Sequence, residues 1–416
     1  VFTCSRRAAL LMAAALAGIP ARAEQTGSVT ALAAKQGKAV TRTEILAGSI
    51  ETPMLTLGSI AAMEQAIAMY RDIVRNGGWP ELPAIKLAKG DKRDEVILLR
   101  HRLIREGYQP VDALAVERPE KFDGELDLAL RAFQANHGLG QSGKLDARTL
   151  VELNVPAEWR LSQLEANYPR IARHLDELGP RYILVNVPSA QLETVSLGTV
   201  YSRHNIVAGK PSRPTPALNA QISEINFNPY WNAPASIVQK DLIPKLIADP
   251  RALEAMQIRV FDGIGGPEID PMTVDWSTVA PDRYFFRQDP GGQNAMASLK
   301  INFQNRFHVY LHDTPHKELF GEGDRYQSSG CIRVDKVHVL VDWILAGQDG
   351  FDLDYIEEIA ASGERHDVSV RNRIDVRLMY LTAWASEDGR VQFRPDVYQL
   401  DGTGFVDGQP EPVSGI

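Results

Sequence analysis

Cysteine is nearly absent: the 416-residue sequence holds only Cys4 and Cys331. That excludes a disulfide scaffold and a four-cysteine zinc or iron–sulfur site. Positive charge is in deficit, with 45 Lys and Arg against 53 Asp and Glu and a formal net charge of -8. A nucleic-acid footprint is therefore not expected. Long apolar runs are missing too. The stretch Ala8 to Ile19 is too short to span a bilayer comfortably. No Ser-x-x-Lys tetrad occurs, and Ser298-Leu299-Lys300 has the wrong spacing for a penicillin-binding serine enzyme. His-Glu-x-x-His is absent as well. On a strand, His308 and His312 would stand about 13 Å apart, too far to share one metal ion. What remains is an ordinary globular composition, 44% hydrophobic and 24% charged, long enough for two or three domains.

The first 23 residues read as an export signal. Arg6 and Arg7 precede the short apolar run, and Ala21-Arg22-Ala23 fits a small-x-small cleavage site. The alternative is a short membrane anchor. The arginine pair also hints at twin-arginine export. Cleavage would remove Cys4, so the exported chain would keep one thiol, Cys331, and no stable membrane span. A lone thiol in an oxidising compartment points to chemistry, against the alternative of a buried inert side chain.

Residues 24–52, rich in Ala, Gly, Thr and Ser, read as a flexible lead, and 53–90 as a helical scaffold segment. There Ile60, Met63, Ile67 and Tyr70 recur at helical spacing until Gly77-Gly78 stops them. Residues 91–155 form a small three-helix module. Val96, Leu99, Leu103 and Ile104 share one face, and Leu126, Leu130 and Phe133 another. Asp123 and Asp146 are placed as N-caps. From 180 to 402 the pattern turns to strands, at Tyr182–Val187, Ile222–Phe227, Arg283–Phe286 and Ile301–Leu311. An amphipathic helix at Ser236–Met256 interrupts them, within a lid expected at about 232–280. A helix is expected at 335–346, and 403–416 form a tail. The fold class is α+β and multidomain.

Chemistry concentrates at His312-Asp313-Thr314-Pro315 and Ser328-Ser329-Gly330-Cys331-Ile332-Arg333. Alternation along 307–312 turns Phe307, Val309 and Leu311 to the core and His308, Tyr310 and His312 away from it. A thiol needs a base or positive potential to become a thiolate. His312 can serve, with Arg333 and a helix start just after Cys331 adding positive potential. The amides near Gly330 and Cys331 could receive an oxyanion, and Tyr310 could donate a further hydrogen bond. A nucleophilic Cys331 is expected to be alkylated faster than a free thiol near neutral pH. The competing reading leaves His312 a satisfied structural histidine and Cys331 inert.

These motifs, with Leu319-Phe320 and Arg325 between them, resemble the YkuD-type L,D-transpeptidases, most closely the large YcbB-like branch. Gly209-Lys210-Pro211-Ser212-Arg213-Pro214-Thr215-Pro216 adds to the resemblance, as do Asn228 to Ile237, Tyr380 to Trp384 and Val391 to Arg394. Where that branch reads Asn-Ala-Leu-Gly, this chain reads Asn294-Ala295-Met296-Ala297. The 91–155 module resembles a three-helix peptidoglycan-binding domain through Phe133 to Leu139 and Thr149 to Asn154. A scaffold bundle that binds no glycan is its alternative.

The resemblance implies a mostly-β catalytic domain with a helical lid and no cofactor or metal. Cys331 would attack the bond between residue 3 and D-Ala of a stem tetrapeptide. His312 would carry the proton, and a third-residue amine would receive the acyl group. The histidine would be oriented by backbone or small polar groups near the motif, with Asp313 and Ser328 at candidate positions. Arg333, Ser329 and Trp231 are candidates for binding peptidoglycan stem peptides. Two alternatives share the same residues: a carboxypeptidase using water, and a non-catalytic wall-binding protein.

Overall fold

The computed structural model describes residues 52–175 and 178–406. The expected export signal, nearly all of the lead and most of the tail lie outside them. Among the described residues no helix is long and apolar enough to cross a membrane.

The N-terminal half is helical: α1 Ser59–Arg75, α2 Glu95–Arg105, α3 Gly124–Asn136, α4 Ala147–Leu153 and α5 Ala157–Leu175. Local chemistry sets their ends. Asp123 accepts from the Leu126 N–H at 2.9 Å and Asp146 from the Thr149 N–H at 2.8 Å, satisfying donors a helix leaves unpaired. Gly77 and Gly78 follow α1 with φ of 85° and 66°, which glycine adopts without penalty. Helices α2, α3 and α4 close around Val96, Leu99, Leu103, Leu126, Leu130, Phe133 and Leu153, all fully buried. Ile104 is only half-buried, at the edge of that face.

The C-terminal half is built on β1 Arg181–Asn186, β2 Gln191–Ser196, β3 Thr199–Gly209 and β4 Leu218–Phe227. An insert follows with β5 Trp231–Asn232, the helical pieces α6 Ala235–Ile237 and α7 Ile243–Ala248, and strands β6 Ile258–Phe261, β7 Glu268–Ile269 and β8 Phe285–Gln288. The main sheet resumes with β9 Leu299–Phe303, β10 Leu311–His312, β11 Tyr326–Ser328 and β12 Ile332–Val334. Helices α8 Val337–Leu345 and α9 Leu353–Ser362 precede β13 His366–Met379, and β14 Ala383–Ala385 and β15 Val391–Phe393 form a separate ribbon. The nine-stranded sheet runs β11-β3-β12-β10-β9-β4-β13-β1-β2, and β2 also pairs with β3. The ladder therefore closes on itself into a barrel-like body, and the class is α+β.

Both faces of β1 are buried, which explains its unbroken apolar text. Ile183 and Val185 enter the barrel core, while Tyr182 and Leu184 face α1, α5 and the β14–β15 ribbon. The three-helix module is docked rather than tethered. Arg102 lies 3.6 Å over the Trp79 ring and pairs with the buried Glu106 carboxylate, which also accepts from the Tyr70 hydroxyl. His137 stacks on Phe133 at 3.8 Å and faces Phe393 at 5.4 Å. Arg394 donates to the Asn136 carbonyl at 2.9 Å.

Three expectations need correction. The 301–311 run is not one strand. Asn305 takes the Phe307 and Val309 amides onto its side chain and His308 turns to φ 56°, so Phe307 is exposed and the alternation begins only at Val309. The insert helix ends at Ala248, not Met256. Its turns are α, then π over Val238–Leu242, then α, with Val238, Leu242, Ile243 and Leu246 buried. The strand expected at 283–286 lies two residues later.

Ala297 stands where the resembling branch has glycine, and its φ is 44°. A left-handed non-glycine residue costs about 1–2 kcal/mol, and glycine loses about 0.5–1 kcal/mol in chain entropy. Ala297→Gly should therefore raise the urea midpoint slightly rather than lower it. His204 is buried between the Ser202 hydroxyl and the Asp335 carbonyl, and burial pushes its pKa down to about 4. Its neutral form is the folded form, so stability is full above pH 6.5 and falls as pH drops towards 4. His204 should contribute about 3 kcal/mol to the loss in urea unfolding free energy across that window, and His204→Gln should remove that share.

Candidate active site

Strand register assembles the site. Strand β10 pairs in parallel with β12, Leu311 opposite Ile332 and His312 opposite Arg333. On its other edge it pairs antiparallel with β9, Leu311 opposite Ile301 and His312 opposite Lys300. The Ile332 N–H donates to the Tyr310 carbonyl at 3.1 Å, so Cys331 stands level with Tyr310. Leu311, Ile332 and Ile301 point together into the core and are fully buried. Tyr310, His312, Lys300, Cys331 and Arg333 share the opposite face. Tyr310 packs there against the core of the insert, beside Trp231.

The thiol meets tyrosine before histidine. Cys331 faces Tyr310 across the ladder, and the Tyr310 backbone and side chain both favour its thiolate form. Among the described residues no hydrogen bond joins His312 to Cys331. The register explains this, because His312 lies one ladder step on, level with Arg333.

His312 is buried and its Nδ1 lies 2.6 Å from the Asp313 backbone carbonyl. A carbonyl only accepts, so the proton sits on Nδ1 and Nε2 is the free base. Burial first, then Arg333, pushes the His312 pKa down to about 3. Burial also pushes the Cys331 thiol up, ahead of the opposing pull of Tyr310, Lys300 and Arg333. The resting pair is a neutral thiol and a neutral imidazole.

Around the cysteine, several expected roles change hands. Gly330 has φ 116° and its N–H donates to Ser328 Oγ at 3.1 Å, so that amide is not open to an oxyanion. The Cys331 N–H has no partner among the described residues. Ser328 also donates to the Cys331 carbonyl, so it ties the turn and does not orient His312. The Asp313 carboxylate accepts from Ser298 Oγ at 2.8 Å and pairs with Lys317, leaving the histidine to its backbone carbonyl. Helix α8 begins only at Val337, after β12, so it does not start directly after Cys331 as expected.

Ser329 is exposed, and its hydroxyl accepts from Arg213 at 2.9 Å. The same guanidinium forks onto Asp241 of the insert, one bond being 2.9 Å. Thr215 donates to the Gly330 carbonyl at 2.8 Å and accepts from the Gly209 N–H at 2.9 Å. Arg333 is half-buried, and its Nε has no hydrogen-bond partner among the described residues. Sequence reasoning gave no role to Lys300, Arg213 or Thr215. The last two lie in the quoted Gly209-to-Pro216 motif, which was their one signal.

With this geometry in place, comparison with known proteins is direct. Residues 180–353 match the model of the L,D-transpeptidase catalytic domain, YkuD. The chain carries a YkuD-type catalytic domain. Residues 92–153 match a "putative peptidoglycan binding domain". A Haemophilus influenzae protein named "putative L,D-transpeptidase" is 32% identical over 219 residues, covering 53% of this chain and 44% of that protein. The chain thus aligns with less than half of that relative's length. Solved L,D-transpeptidases from Xylanimonas cellulosilytica and Stackebrandtia nassauensis align at 15% and 12% identity, with TM-scores of 0.23 and 0.25. They cover 72% and 70% of this chain and 98% and 94% of their own. The assignment rests on the sequence match.

In this YkuD domain the expected fast alkylation reverses. A thiol held neutral by burial, with no imidazolium bonded to it, offers little thiolate at neutral pH. Iodoacetamide should label Cys331 more slowly than free cysteine at pH 7, with the rate climbing into the alkaline range. Labelling followed by peptide mass spectrometry checks this, and a rate already at its plateau by pH 7 would contradict it.

Proposed function

We propose that the chain is an exported, peptidoglycan-remodelling L,D-transpeptidase that uses Cys331 as nucleophile. The observation that carries this reading is one sheet face presenting a thiol, a neutral imidazole with a free Nε2, a hydrogen-bonding phenol and two cations. It lies within the region that matches the transpeptidase family.

In this reading a donor stem tetrapeptide enters between the sheet and the insert. The Cys331 side chain turns from Tyr310 to His312, and contacts of this kind tighten once substrate is bound. The thiol proton passes to His312 Nε2 as the S–C bond forms at the carbonyl of residue 3. The oxyanion receives the Cys331 N–H and the Tyr310 hydroxyl. The intermediate collapses, the C–N bond breaks, and D-Ala leaves with the proton from His312. An amine on the third residue of another stem then attacks the thioester, giving a 3→3 cross-link and a free thiol. Arg333 is positioned to meet a substrate carboxylate, and Ser329 and Trp231 flank the cleft. The 91–155 module would hold the chain on the wall, outside the cytoplasm.

Mass spectrometry of the protein with disaccharide-tetrapeptide tests the reading. The expected outcome is an adduct on Cys331 equal to substrate minus Ala, then a cross-linked dimer. Cys331→Ala should give neither, and His312→Ala should slow adduct formation by about 10²–10⁴-fold. An adduct that yields only tripeptide would make the protein a carboxypeptidase. No adduct with intact Cys331 would favour the wall-binding alternative.

A further inference from the structure

We propose that Lys300 is the charge that governs the Cys331 thiol, acting through the face of the Tyr310 ring. The proposal builds on the reading of Cys331 as nucleophile and adds a residue that neither the motifs nor the family match assigns.

The strand ladder puts Lys300 opposite His312 and diagonal to Tyr310. Its Nζ lies 4.5 Å from the centre of the Tyr310 ring, a cation–π distance. That ring stands level with Cys331 across the β10–β12 ladder, and its hydroxyl favours the thiolate. An ammonium over the ring draws electron density from it and makes the hydroxyl a stronger donor. A stronger donor favours thiolate over thiol.

The charge also has no carboxylate in direct contact among the described residues, Glu224 and Asp367 acting on it only from a distance. On strand β4, Asn226 faces Lys300 and Glu224 faces Asn302. Glu224 accepts from Asn302 at 3.2 Å, and Asp367 of β13 accepts from Asn226 at 2.8 Å. The asparagines occupy the two carboxylates that could have paired with the lysine. Among the described residues Lys300 makes no ion pair, although it is half-buried. A partly desolvated ammonium without an anion is costly. A thiolate formed at Cys331 would supply that anion at the moment of reaction. Arg333 is the other cation on this face, and His312 is neutral, so it adds no competing charge. Arg213 lies across the Ser329 turn, already neutralised by Asp241.

The test reads the thiol and needs no wall substrate. Iodoacetamide labelling of Cys331 forms the S–C bond, expels iodide and releases the thiol proton to solvent. Its rate is followed from pH 6 upward in the full chain. Lys300→Met should move the midpoint up by about one pH unit, so labelling below both midpoints slows about tenfold. The alkaline plateau should stay unchanged, which a merely structural disturbance would not preserve. Lys300→Arg should restore the original midpoint. In a Tyr310→Phe background the Lys300→Met shift should fall to less than half. Should Lys300→Met fold poorly, Lys300→Gln serves in its place, with circular dichroism as the control. An unmoved midpoint, an arginine variant that behaves like methionine, or an undiminished shift without the hydroxyl would overturn the proposal. If the shifts occur but the intact protein makes no adduct from tetrapeptide, the transpeptidase reading falls and the role of Lys300 stands.

Discussion

The site depends on the register of three short strands. Leu311, Ile332 and Ile301 are locked together because all three side chains are buried in the barrel core. With a side-chain period of two, that lock dictates what stands on the other face. Tyr310, His312, Lys300 and Arg333 need no local instruction to converge on Cys331. A slip of one residue would send the polar set into the barrel and the apolar set under the insert. The strength of the core pairing is therefore also the precision of the chemistry.

The electrostatics follow from the same placement. Burial opposes ionisation of both the thiol and the imidazole. Tyr310, Lys300 and Arg333 pull the other way on Cys331 without prevailing at rest. The site is thus poised rather than charged. It holds a nucleophile that is quiet in the absence of substrate, beside cations whose influence grows when water is displaced. The insert is fastened close by, since Arg213 bridges Asp241 and the Ser329 hydroxyl.

Features that rest on neighbouring residues were legible in the sequence. The caps at Asp123 and Asp146 need only a carboxylate at the right step before a helix, and both form. The 301–311 run misled because Asn305 captured amides that a strand would have used, a side-chain event invisible to periodicity. Asp313 was legible as a partner of His312, but not that it would act through its backbone carbonyl, which every residue carries, while its carboxylate turns to Ser298 and Lys317. Lys300 was passed over because its meaning lies in strand pairing. The loop between β9 and β10 is too irregular to count across, and without that count nothing marks Lys300 as the residue beside His312.

The seam between the three-helix module and the barrel carries a consequence for how this architecture can be edited. His137 is sandwiched by one aromatic from each side, Arg102 covers Trp79, and Glu106 is buried with Arg102 and Tyr70. Family boundaries drawn along the chain cut through this contact. Excising the module would bare Phe393 and Trp79 and strand Tyr70 without its carboxylate. The two domains are modular in descent but not in energy: neither inherits a finished surface where the other is taken away.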